Sequence, residues 1–417
     1  MRQVKKKPIS IVLGTIALAF FINIKSVNSI LGAMLGFEEE SGFMSILYAS
    51  TVLFLFTISF LNIGKVKFNK QVFIFALLLF VWYMCTKSFI QEPRVSIVFF
   101  GVFTISAFII PSIIKIDARL LLLAIMLIPT VGILYVSKIF STENSTNETI
   151  TMTVSYAFMV PVVATILYLV FYYKHDGVYT KSIALFSSLI NLFFLYEILS
   201  FGSRGPFVCI LVLILFLFLF KKKKGTGISV RKTWLAIMTP LVLFFSVFFM
   251  DIIFSINMLL GRAGLSLNVV DKFVRMGGEG DWTNGREYIS KITMAGIIDS
   301  PIIGHGVDQF ENNTGIVYPH NFILQILYDG GLLFFVILLI PLLIKLIKKG
   351  KNCDIDEYIL IILFFVISVP GALVSSDLWN NERLWIFFGF IFSSSFVLNK
   401  RNTFKNRTTH NRSRKTL

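Results

Sequence analysis

Apolar residues run along this chain in long blocks of about 20 positions, separated by short polar and charged breaks. A helix needs about 20 such residues to cross a bilayer. Twelve runs fit, at about 8–25, 43–63, 71–90, 95–114, 119–138, 151–173, 181–201, 205–220, 233–255, 320–347, 357–375 and 384–399. Inside hydrocarbon every backbone N–H and C=O must pair within the segment or with a neighbour, so such runs are helices. Barrel strands are short and alternate in polarity, which excludes a barrel. The fold predicted is an all-α integral membrane protein with about twelve transmembrane helices. FGSRGP alone separates 181–201 from 205–220 and predicts a tight hairpin. The resulting organisation is helices one to nine over 1–255, a large loop over 256–319, helices ten to twelve over 320–399, and a basic tail over 400–417.

Charge decides orientation. Lys and Arg concentrate in MRQVKKK, GKVKFNK, KIDAR, KHDGVYTK, KKKKGTGISVRK, KKGKNCDIDE and the tail, which are alternate breaks. The remaining breaks are mostly acidic or near neutral. In 256–319, Arg262, Lys272, Arg275, Arg286 and Lys291 face Asp271, Glu279, Asp281, Glu287, Asp299, Asp308 and Glu311. Positive loops stay inside, so both termini are expected in the cytoplasm. Arg204, the long loop, His320 and Arg383 are expected on the outer face. The first apolar run follows a basic start without a small-residue cleavage pattern, and is expected to be a retained anchor helix.

Composition sharpens this picture. The chain is 56% hydrophobic and only 15% charged, against about 25% charged in soluble domains. The net charge of +16 does not point to nucleic acid. It sits at helix ends, in Lys221–Lys224 and in the tail, where cations set topology and meet anionic headgroups. Cys85, Cys209 and Cys353 show neither metal-ligand spacing nor a disulfide framework.

The loop over 256–319, about 64 residues, is far longer than the other connections. Pieces such as REYISKITMAGII have apolar residues at helical spacing, which predicts a cap with one or two helices over the outer ends of the spans. Four residues around it carry candidate chemistry. Arg204 lies in Gly202-Ser203-Arg204-Gly205-Pro206, where a helix start and a guanidinium would together attract an anion. The structural alternative is an arginine snorkelling at a span end. Glu197 lies about two turns inside the preceding run, where an ionisable group needs a partner or a function. Arg286 opens a predicted helix after Thr283-Asn284-Gly285. His320 follows Pro319 and opens a span, where the helix dipole disfavours imidazolium and leaves a ring able to accept a proton. Its structural alternative is an interfacial histidine held by a hydrogen bond.

The order Asn284-Gly285-Arg286, Ser300-Pro301, Gly304-His305-Gly306-Val307-Asp308-Gln309-Phe310, Pro319-His320-Asn321-Phe322-Ile323-Leu324-Gln325 and Tyr328-Asp329-Gly330-Gly331 resembles the O-antigen ligase and polysaccharide polymerase superfamily. Ser203-Arg204-Gly205-Pro206 looks like that family's upstream arginine site. Before about residue 180 the likeness is one of hydropathy alone. The resemblance implies a membrane-embedded glycosyltransferase of GT-C type that uses neither metal nor cofactor. The donor would be an oligosaccharide on undecaprenyl diphosphate, presented at the outer leaflet of a bacterial cytoplasmic membrane. Within that reading Arg204 and Arg286 clamp the diphosphate, Arg383 is a third cation, and His320 is the base. Glu197, Asp308 and Asn321 would support them. Expected partners are membrane lipids and the chain-length regulator and flippase of the same pathway.

Three functions compete at this point. A polymerase would join repeat units outside the membrane. A ligase would transfer a finished glycan to a lipid or protein acceptor. A transporter would show related halves and midplane charges, but no repeat is visible and the loop between runs nine and ten breaks the symmetry.

Overall fold

The computed structural model describes residues 8–24, 42–60, 70–87, 100–127, 148–200, 204–223, 227–264, 268–279 and 285–393. The basic tail, Ser203 and Asn284 lie outside them. The helices are α1 (Ile9–Ile22), α2 (Gly42–Phe60), α3 (Lys70–Lys87), a π-helical turn Phe100–Ser106 leading into α4 (Ala107–Ile113), and α5 (Ala118–Leu127). They continue with α6 (Glu148–Phe171), α7 (Val178–Ser200), α8 (Arg204–Leu219), α9 (Lys232–Val247), α10 (Phe249–Arg262), α11 (Asn268–Glu279) and α12 (Arg286–Asp299). The last four are α13 (Gln309–Thr314), α14 (Phe322–Asn352), α15 (Ile355–Val374) and α16 (Glu382–Phe392).

Every one of the twelve apolar runs falls on at least one helix. Length and composition qualify three described helices as spans: Val178–Tyr196, Phe322–Asn352 and Ile355–Val374. A bent pair, Lys232–Phe244 with Phe249–Arg262, makes a fourth if it is one span. Seven further described segments, from Ile9–Ile22 to Gly205–Leu219, are shorter apolar helices. The protein is therefore a helical integral membrane protein.

Three details differ from the sequence reading. The run 233–255 is not one straight helix: it turns by 76° near Phe248, and α10 continues to Arg262, into the stretch assigned to the loop. The basic break after α8 contains a hairpin, β1 (Phe220–Lys223) antiparallel to β2 (Gly227–Val230), where only a loop was expected. Phe220 pairs with Val230 and Lys222 with Ile228 across this ladder, and Gly227 closes within contact of the Lys351 carbonyl. The third is a break inside α14.

The core gathers α15, α16, α4, α5, α6 and α1. Within its most apolar window α15 is 72% buried, against 28% for α14 and 22% for α7. Trp379 and Trp385 stack at its centre, with ring centroids 5.8 Å apart. Contacts also sort the breaks between runs. Arg119 pairs with Asp176 at 2.8 Å, and the Tyr172 hydroxyl donates to Asp356 at 2.6 Å. These residues come from segments expected inside. Arg383 reaches the Ile22 carbonyl, and Tyr318 reaches Ser375, all from the opposite ends of their runs.

The break in α14 falls at Gly331, which has φ 63° and ψ −167°, a conformation essentially reserved for glycine. It frees backbone groups on both sides, and the segment Pro301–Gly306 pairs with them. His305 and Gly306 donate their N–H groups to the Tyr328 and Asp329 carbonyls at 2.8 and 2.7 Å. In return Leu332 and Leu333 donate to the Pro301 and Ile302 carbonyls at 2.8 and 3.0 Å. Irregular backbone at membrane depth persists only where protein satisfies it. The glycine-rich stretch is the counterpart of a broken span.

Candidate functional site

His320 adopts φ 57°, the left-handed region, which a non-glycine residue enters at a cost of about 1–3 kcal/mol. Its neighbours impose it. Pro319 is buried on one side, and on the other the Asn321 side chain caps α14, accepting from Ile323 and Leu324 N–H at 2.9 and 3.2 Å. Asn321 is thus the helix cap that positions His320. The imidazole lies 4.3 Å from the Tyr318 ring, whose hydroxyl donates to the Ser375 carbonyl at 3.1 Å. Its Nδ1 is buried and makes no hydrogen bond. Burial lowers the His320 pKa below its ordinary value, and the Arg286 charge lowers it further. The direction matches the sequence expectation; the cause is burial first and a guanidinium second.

Arg286 opens α12 directly after Gly285, which caps the helix at φ 77°. Among the described residues no carboxylate forms an ion pair with it. The carboxyl end of α12 is fastened to α14. Gly296 packs against Tyr328 so closely that an added Cβ would come within 2.3 Å of the ring. The Gly296 carbonyl accepts from His305 Nε2 at 2.8 Å, which requires the proton on that nitrogen. The His305 ring lies 4.6 Å from that of Tyr328, whose hydroxyl accepts from Asn313 at 3.0 Å. One end of α12 is locked to the break in α14, and the other carries Arg286 to His320.

Tyr156 of α6 completes this end of the bundle. Arg286 and Tyr318 both lie within its electrostatic reach. Its ring sits between two glycines, Gly205 of α8 and Gly371 of α15. Arg383 is buried behind it. There Nε donates to the Ile22 carbonyl at 3.1 Å, Nη1 to the Tyr156 carbonyl at 3.4 Å, and Glu382 lies 3.7 Å away. Arg204 begins α8, as the Gly-Pro pattern predicts, but its side chain lies outside what is described, as does that of Glu197 on α7. Asp308 stands apart, with φ 64° ahead of α13 and in electrostatic reach of Tyr83 and Asp329 rather than of His320.

A buried polar network behind His320 escaped the sequence reading. Gln325 donates to Asp377 at 2.7 Å and accepts from Leu378 N–H at 2.8 Å. Asp329 accepts from Trp379 Nε1 at 2.7 Å, and Asp377 also accepts from Asn380 at 2.9 Å. This joins the first turns of α14 to the connection between α15 and α16, so the backbone around His320 is held from two sides. Gln325 and Asp329 are four apart in an otherwise apolar run, a spacing that puts both on one helix face. That was the available signal. Tyr156 carried none, since nothing local separates it from other tyrosines in apolar runs.

Residues 189–339 match a family model described as O-antigen ligase. The matched stretch contains Glu197, Arg204, Arg286, Asp308, His320 and Asn321, and excludes Tyr156 and Arg383. The match supports the O-antigen ligase and polymerase superfamily, and with it a role of ligase or polymerase type on lipid-linked oligosaccharides. A comparison with curated proteins found no match.

Proposed function

We propose that the protein polymerises oligosaccharide repeat units carried on undecaprenyl diphosphate. It does so at the outer leaflet of a bacterial cytoplasmic membrane, with twelve crossings and both termini inside. The observation that carries this is the pairing of a buried and unpartnered His320 Nδ1 with the Arg286 charge at one end of the bundle. Glycosyl transfer from a lipid diphosphate asks for these two groups. The acceptor hydroxyl oxygen attacks the anomeric carbon, and its proton passes to His320. The bond from that carbon to the diphosphate oxygen breaks, and its electron pair leaves with the diphosphate. Arg204 and Arg286 stabilise the departing charge, the work a metal does elsewhere. Arg383 holds the Tyr156 backbone behind them. Asn321 sets His320 in place, and the chain-length regulator and flippase of the same pathway are the partners expected.

A second reading, transfer of a finished glycan to a lipid or protein acceptor, is favoured by the description of the matched family. Full-length protein in proteoliposomes, supplied with lipid-diphosphate oligosaccharide, separates the possibilities. Asparagine tolerates the left-handed conformation at position 320, so His320→Asn should insert normally. Its chain elongation should fall by about 10²–10⁴-fold. Normal long-chain product from that variant removes His320 as the base. Transfer to an added acceptor without elongation establishes the second reading, and repeat units that cross the bilayer unjoined establish a transporter.

A further inference from the structure

We infer that the Tyr156 hydroxyl is a hydrogen-bond donor to the diphosphate of the lipid-linked substrate, at the amino terminus of α8. The inference rests on the function proposed above and adds a substrate-contacting residue from outside the matched segment.

Three observations converge. First, the ring is held in one pose by two positions that admit no side chain. A Cβ on Gly205 would fall 1.9 Å from the Tyr156 hydroxyl oxygen, and one on Gly371 would fall 2.9 Å from the ring edge. Second, that hydroxyl is buried and makes no well-formed hydrogen bond, with the Ser375 side chain as a polar neighbour. A buried donor without a partner lowers stability, and a phenylalanine would fill the same space without that cost. Third, the hydroxyl lies against the first turn of a 16-residue helix, α8. The first N–H groups of a helix find no partner within it, and with the helix dipole they favour an anion. Arg286 lies in electrostatic reach of the same hydroxyl. A donor, a helix start and a guanidinium therefore converge on one point, and an anionic group placed there satisfies all three. Arg383 acquires a task as well, because its bond to the Tyr156 carbonyl fixes the turn that aims the hydroxyl.

The test uses the full chain in detergent micelles, with farnesyl diphosphate as a short-chain product mimic and lipid-linked oligosaccharide as substrate. Tyr156→Phe should weaken farnesyl diphosphate inhibition by about 10- to 100-fold, the usual effect of losing a hydrogen bond to a charged group. It should lower kcat and leave the thermal midpoint unchanged or raised. Wild-type protein that farnesyl diphosphate does not inhibit overturns the diphosphate reading of the site as a whole. Inhibition equally strong in wild type and Tyr156→Phe overturns the Tyr156 assignment alone. Should the phenylalanine variant not fold, 3,5-difluorotyrosine at position 156 keeps the shape and strengthens the donor. Tighter inhibition is then expected, and unchanged inhibition overturns the assignment.

Discussion

The two parts of α14 on either side of Gly331 have opposite surroundings. Before Gly331 the helix buries Phe322, Gln325, Ile326, Tyr328 and Asp329, and it bonds through Gln325 and Asp329 to the connection ahead of α16. After Gly331 it is largely bare, with Leu332, Leu333, Ile337, Leu343 and Ile347 all exposed to what would be lipid. Only Phe334, Leu338 and Leu342 are buried there. One half holds the backbone beside His320 through polar contacts, and the other presents an apolar face. A polar side chain in an apolar run is expensive unless paired, so the paired ones mark the half with a task.

That contrast can be broken at its hinge. Gly331→Val places a branched side chain where the backbone requires glycine, and its Cβ would meet the Ile302 carbonyl at 2.3 Å. We expect a loss of about 3 kcal/mol or more, read as a lower unfolding midpoint in detergent, together with lost glycan transfer. A valine protein as stable as wild type would mean that the break is incidental.

A smaller effect sharpens the electrostatics of the amino half. Burial and Arg286 both lower the His320 pKa, so the ring stays neutral and competent until pH falls below that depressed value. Arg286→Gln removes one of the two causes. The titration of His320 should then shift upward, part of the way to the ordinary imidazole value of about 6.5. The pH dependence of its modification by diethyl pyrocarbonate, which reacts with neutral imidazole, would report this. A downward shift or none would separate Arg286 from His320.

The smallest effect is expected in the carboxyl half. Leu343 is 55% exposed, and Leu343→Ala should change stability by no more than about 0.5 kcal/mol and leave activity intact. A large effect would show that this face is covered by protein instead of lipid.

Much of the scaffold was legible beforehand. Each apolar run falls on at least one helix, and the Gly-Pro pattern located the start of α8. Arg286 at a helix start and His320 at a loop–span junction also stood where their flanking residues implied. The break at Gly331 and the bend near Phe248 were not legible, because hydropathy averaged over some 20 residues does not register one unusual torsion. Arg383 looked like a free outer cation, yet its donors are turned to the carbonyls of Ile22 and Tyr156. Asp308 comes shortly before His320's motif in sequence but lies in electrostatic reach of Tyr83 instead.

By itself the sequence determined the helical membrane class, the alternation of breaks and the residue types available for chemistry. All of these follow from the transfer of side chains and backbone into a nonpolar solvent, which is a one-dimensional property of the chain. Which polar groups meet was decided only in the tertiary structure. Arg286 acts on His320 because His305 and Tyr328 fasten its helix to a broken span. Tyr156 meets Gly205 and Gly371 because α6, α8 and α15 pack together. Such pairings depend on distances of a few ångströms between residues up to about 200 positions apart, and no local pattern encodes them.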